Sequence, residues 1–212
     1  SYSHLLVSER KARNHAEILA QMAARLSASL ELEQTVEVIC EATLEATNRS
    51  FAAIFDYSPS DNTFQLWHGA GHIGGIKLLR QPFPPSLTAQ VIQQKQSLLL
   101  EMGQPTAEWA EAAIIQQAGI HSLAYAPLIY QQQMIGLLTI GAIGAMEPVS
   151  DNTLKLLHEI ADQAAMAIQN GRLYREVQQS NNELENRVAQ RTADLQARNE
   201  ELDAFAHTVA HD

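Results

Sequence analysis

Apolar residues Ile18, Leu19, Met22, Leu26 and Leu30 recur at three- and four-residue spacings within residues 9–30. That spacing predicts one apolar stripe on an amphipathic helix. A second helix, over about 32–47, gathers Leu32, Val36, Ile39, Cys40, Thr43 and Leu44 on one face. The period then changes. FAAIFDY (51–57) and TFQLWHG (63–69) are β-branched and aromatic runs joined by SPSDN, which predicts a hairpin. SLLL (97–100), SLAYAPLIY (122–130) and QMIGLLTIGA (133–142) are further strands, the last two joined by a polar turn around Gln131–Gln132. Pro127 has no N–H to give a ladder, so it predicts an edge or a bulge. Two short helical stretches, about 85–95 and 106–118, lie between the strands.

From Ser150 in PVSDNTLKLL the pattern is helical to the end, with no proline and a single glycine, Gly171. Ser150 suits an N-cap, and Asp151 places negative charge at the positive helix end. Residues 150–212 would extend roughly 95 Å at about 1.5 Å per residue. A pattern that long points to a coiled coil. With Tyr174 at position a, the a and d places are Tyr174, Val177, Asn181, Leu184, Val188, Arg191, Leu195, Arg198, Leu202, Phe205, Val209 and Asp212. This predicts a left-handed, parallel dimeric seam. A buried Asn181 can fix register, while Arg191 and Arg198 weaken the middle. Glu183–Arg187 and Asp194–Arg198 are i,i+4 pairs worth a few tenths of a kcal/mol each. A passive dimerising spacer and a signal relay both fit this pattern.

Charge and cysteine usage narrow the classes. The net charge is −10, from 14 Lys+Arg against 24 Asp+Glu. That argues against a sequence-independent grip on nucleic acid or anionic lipid, which needs clustered basic side chains. Cys40 is the only cysteine, so no intrachain disulfide forms and a reducing cytoplasm is the expected location. MIGLLTIGAIGAM (134–146) is too short and too glycine-rich to span a bilayer, and no signal peptide opens the chain. SYSHLLVSERKARNHAEI reads as a linker entered in mid-stream, compatible with a membrane segment upstream.

The candidate chemistry lies at the end of the chain. His211 falls at heptad position c, facing solvent, beside Asp212; His207 falls at f and lacks a following acid. An exposed neutral imidazole can attack phosphorus, and a neighbouring carboxylate can orient the ring and take its other proton. A merely solvated histidine fits the same spacing. LENRVAQRTADLQARNEELDAFAHTVAHD (184–212) resembles the linker and first dimerisation helix of sensor histidine kinases. The resemblance implies that His211 is the phospho-acceptor and Asp212 its acidic neighbour. It further implies ATP and Mg²⁺ as cofactors of the whole kinase and a response-regulator receiver domain as partner. The helix would then continue beyond Asp212. The 212 residues hold no ATP-binding domain, so no catalysis is expected from them alone.

SLELEQTVEVICEATLEATNRSFAAIFDY, QQAGIHSLAYAPLIYQQQMIGLLTIGA and PVSDNTLKLLHEIADQAAMAIQNGRLYREV, in that order, resemble a GAF domain over about residues 27–172. The resemblance implies an α+β fold: a central antiparallel sheet, terminal helices on one face, and a small-ligand pocket on the other. The long N- and C-terminal helices would form a parallel dimeric coiled coil. The chain then divides into a linker helix (1–26), the sensor (27–172), a signalling helix (173–203) and the start of the phospho-acceptor helix (204–212). Phytochrome-type relatives hold a bilin through a pocket cysteine, whereas Cys40 sits on a core-facing helix and reads as a small buried hydrophobe. The Asn-Lys-Phe-Asp-Glu signature of cyclic-nucleotide binders is missing. His68, His72 and His121 are not spaced as metal ligands, and GAGHIGG (69–75) lacks the Lys-Ser/Thr of a phosphate loop. Trp67, His72, Trp109, His121 and Tyr125 are the candidate pocket residues; core packing accounts equally well for the aromatic ones. The sequence does not name the ligand, and no metal or resident cofactor is expected.

The leading expectation is therefore the sensory part of a homodimeric, cytoplasmic histidine kinase. The rivals are a GAF and coiled-coil module regulating a nucleotide cyclase or phosphatase, and a GAF domain that only dimerises.

Overall fold

The computed structural model describes residues 13, 16–24, 31–74, 97–101, 119–144 and 149–211. The helical stretches expected over 85–95 and 106–118, together with Trp109 and Asp212, lie outside the described residues. Of the helix expected over 9–30, residues 16–24 are helical, and Met22 is buried. The remaining elements are α1 (Leu32–Thr47), β1 (Phe51–Ser58), β2 (Thr63–Gly71), β3 (Leu98–Glu101), β4 (Ile120–Tyr130), β5 (Gln133–Ile143) and α2 (Asp151–His211). The chain divides into two compact units, Ser1–Gly171 and Arg172–Asp212.

The first unit is built on a five-stranded sheet in the order β2-β1-β5-β4-β3, every neighbouring pair antiparallel. Both predicted hairpins are present. Gln131 and Gln132 both take positive φ, 47° and 67°, as a two-residue turn matching the strand twist requires. Pro127 pairs with Leu137 on β5, while β3 reaches only Ser122–Tyr125. Its missing N–H therefore falls beyond the end of the edge strand.

Strand alternation splits the core in two. Ala52, Ile54, Ala124, Ala126, Leu128, Leu138 and Ile140 face the helices, where Val36, Ile39 and Cys40 of α1 and Leu157, Ile160, Ala164 and Ile168 of α2 cover them. Burying such a side chain contributes about 1.5–3 kcal/mol. The helical face of α1 is threonine-rich, yet no hydroxyl is stranded: Thr35, Thr43 and Thr47 donate to the carbonyls of Glu31, Ile39 and Thr43 at 3.0, 2.6 and 2.7 Å. Asn48 ends the helix in the left-handed region and donates its N–H to Leu44 O at 3.0 Å. The opposite sheet face carries Phe51, Phe55, Phe64, Leu123, Tyr125 and Leu137. Gly141 is required there, because the Phe51 ring occupies the place a Cβ would take.

Ser150 caps α2 as expected, its Oγ accepting from the Thr153 N–H at 3.2 Å. In the second unit α2 is helical to His211, and its described side chains from Leu173 on are exposed. No helix among the described residues is long and apolar enough to cross a membrane.

Candidate functional site

On the face away from the helices, one row of cross-strand partners reads Gly69, Ala53, Thr139, Tyr125, Leu98. Small side chains on β1 and β2 leave Thr139 with little steric cover from its own sheet. Thr139 is nevertheless only 2% exposed, and its Oγ has no hydrogen-bond partner among the described residues. An unsatisfied buried hydroxyl costs about 1–3 kcal/mol. A polar atom stranded in the middle of a face lined by phenylalanine and leucine is therefore a candidate ligand contact. Tyr125, directly across from it on β4, is buried on the same face.

Among the described residues, the other predicted pocket residues do not converge with Tyr125. Trp67 sits at the β2 bulge between the pairs Ile54–His68 and Phe55–Leu66, and packs half-buried against the helix-side core. His72 is exposed just past β2, its N–H donating to Ser50 O at 2.8 Å. His121 is exposed at the β4 bulge between Ile120 and Ser122. Among the described residues no group of three His, Cys, Asp or Glu could hold a metal ion. Thr139 was missed as a candidate, and its only signal was a hydroxyl inside the apolar run GLLTIGA.

One further group was not singled out by sequence. Ser97 Oγ lies 3.0 Å from His158 Nδ1, on a hollow of about 270 Å³ lined by Ser97, Leu154, Lys155, His158 and Glu159. A Ser–His pair needs a third group to orient the imidazole. Glu159, the next residue on the helix, does not share a face with His158. Cys40 donates its S–H to His68 O at 3.7 Å. Burial pushes its thiol up to about 12, so it stays a protonated thiol at neutral pH.

On α2, Tyr174, Val177, Leu184, Val188 and Leu195, which the heptad reading expects in a seam, are large, apolar and exposed, and Asn181 is exposed among them. Leu202, Phe205 and Val209 belong to the same helix, with side chains outside the described residues. His211 is the last residue of α2; its side chain, like Asp212, is outside them.

The fold has many relatives among solved structures. The GAF domain of a phosphoenolpyruvate-protein phosphotransferase from Coxiella burnetii superposes with a TM-score of 0.64 at 17% identity, covering 76% of this chain and 96% of that one. A phycocyanobilin-bound GAF domain from a cyanobacterial phytochrome gives 0.60 at 22%, covering 75% and 96%. A domain described as that of a two-component sensor histidine kinase from Sinorhizobium meliloti 1021 gives 0.56 at 18%, covering 69% and 96%. No curated protein matches the sequence. A family model described as "GAF domain" matches residues 29–169, and with that match over most of its length the chain belongs to the GAF domain family.

Proposed function

We propose that the chain is the sensory and signal-carrying part of a cytoplasmic two-component histidine kinase. The observation that carries this reading is α2, which runs unbroken from core residues Leu157 and Ile160 to His211. The kinase-like segment 184–212 and the fold shared with a sensor-kinase domain support it. The chain works as a homodimer through the exposed apolar residues of α2, and a small molecule on the Thr139 face of the sheet is the signal. In the phosphoryl step a His211 ring nitrogen attacks the γ-phosphorus of Mg·ATP. The bond to the ADP oxygen breaks, and Asp212 takes the proton from the ring. The phosphoryl group then passes to an aspartate of a response regulator. The rival is a GAF module serving another output, such as a nucleotide cyclase or phosphatase; the likeness to GAF domains of phosphoenolpyruvate-protein phosphotransferases shows that this fold also serves proteins other than sensor kinases.

ATP phosphate labelling of the complete gene product, wild type beside His211→Ala, separates the two. Acid-labile label that disappears in the variant is the expected result. Label that survives moves the acceptor to His207 or elsewhere. Absence of label from both proteins sinks the kinase reading and leaves the rival output.

A further inference from the structure

Within the second unit, Leu173, Val177, Leu184, Val188 and Leu195 stand between 45% and 61% exposed. Leu173, Leu184 and Leu195 are each eleven residues apart, and so are Val177 and Val188. The neighbouring sequence keeps this period. VQQSNNELENR (177–187) and VAQRTADLQAR (188–198) share valine, glutamine, leucine and arginine at matching places, with Asn181 answering Thr192 and Glu183 answering Asp194. Eleven residues in three turns is about 3.67 per turn, above the α-helical 3.6, whereas a heptad is 3.5. On the longer period the apolar face takes in Asn181 and Thr192 and leaves Tyr174 and Arg191 on its flanks.

Side-chain chemistry favours that face over a heptad seam. A seam through Tyr174 must bury Arg191 and Arg198 in both copies, and burying unpaired guanidinium groups is costly. Thr192 is suited to burial, because its Oγ donates to Val188 O at 2.8 Å and so is satisfied inside its own helix. Tyr174 is engaged along its own flank, its hydroxyl accepting from Gln178 Nε2 at 2.9 Å.

The flanks name the partner. Within residues 173–198 one carries Glu185; the other carries Arg191 next to the apolar face and, further round, Arg187 and Arg198, with Glu176 at the matching place of the preceding repeat and Arg187 3.9 Å from Glu183 of its own helix, all exposed. Two copies related by a two-fold axis parallel to the helices set the acidic flank of each against the basic flank of the other. Antiparallel copies would set arginine against arginine.

We propose that α2 between Leu173 and Arg198 pairs in parallel with a second copy of this chain through this eleven-residue repeat. The paired stretch is nearly straight, with a slight right-handed wind in place of the left-handed wind of heptads. The proposal rests on the dimer reading above and exchanges Tyr174 and Arg191 in its seam for Leu173 and Thr192.

Four variants of the 212-residue chain test it: Leu173→Cys, Tyr174→Cys, Arg191→Cys and Thr192→Cys. Cys40 stays in place, since it is buried. Under mild oxidation, disulfide-linked dimer should form about fivefold faster at 173 than at 174, and at 192 than at 191, because only seam positions bring the sulfur atoms together without distortion. Equal rates, or faster linking at 174 and 191, overturn the repeat while the dimer stands. A two-copy mass by light scattering without any cross-link overturns the parallel pairing. A one-copy mass without cross-links overturns the dimer reading itself.

Discussion

Thr139 shows how little a single side chain announces of its situation. In QMIGLLTIGA it reads as one more β-branched strand former, and its place opposite Tyr125 and Ala53 is fixed only by pairing with two other strands. Its unpartnered hydroxyl yields a sharp expectation. Thr139→Val keeps the shape and removes the stranded polar atom, so the protein without ligand should be unchanged or up to about 1 kcal/mol more stable. A lower urea midpoint would show that the hydroxyl has a partner and is not waiting for one. If a small molecule is retained on this face, the same variant should retain less of it, read by native mass spectrometry. Trp67 illustrates the opposite limit. An aromatic residue in a strand was readable as a pocket wall or as core, and a bulge in β2 turned it to the helix side; a bulge leaves no mark in local composition.

Elements were more legible than residues, because periodicity and punctuation act over short spans. β-branched and aromatic runs marked β1 and β2, and SPSDN marked the turn between them. The Gln131–Gln132 turn was readable from polarity alone, although neither residue is the asparagine or glycine that favours positive φ. The start of α2 was readable from one residue. Ser150 meets a free N–H of the first turn, so Ser150→Ala should lower stability by about 1 kcal/mol, measured as a shift in denaturant midpoint at constant slope. A change below a few tenths would show that the cap adds nothing beyond what water supplies. Which face of α2 is apolar was harder to read. Periods of seven and eleven residues share Val177, Asn181, Leu184, Val188 and Leu195, and part only at flanking positions such as Tyr174 and Arg191. Side-chain exposure and the two internal hydrogen bonds at Thr192 and Tyr174 separate what spacing leaves joined.

For the whole molecule, an eleven-residue repeat turns length into a quantity that changes in steps. Removing one full repeat, residues 184–194, shortens the rod by about 16 Å and brings Leu195 to the angle Leu184 held. Removing 186–190 shortens it by less than half as much, yet swings everything downstream through well over a third of a turn. The longer deletion costs the seam Leu184, Val188 and Thr192 but keeps the remaining apolar face continuous, so it should weaken the dimer less than the shorter one. The shorter should weaken it about tenfold or more, read by sedimentation over a concentration series. Equal loss from both would mean that nothing in the assembly senses angle. If the steps hold, separation and orientation along this helix are independent settings. The distance from Leu173 to His211 could then be altered by whole repeats, with the heading of His211 around the axis kept as it was.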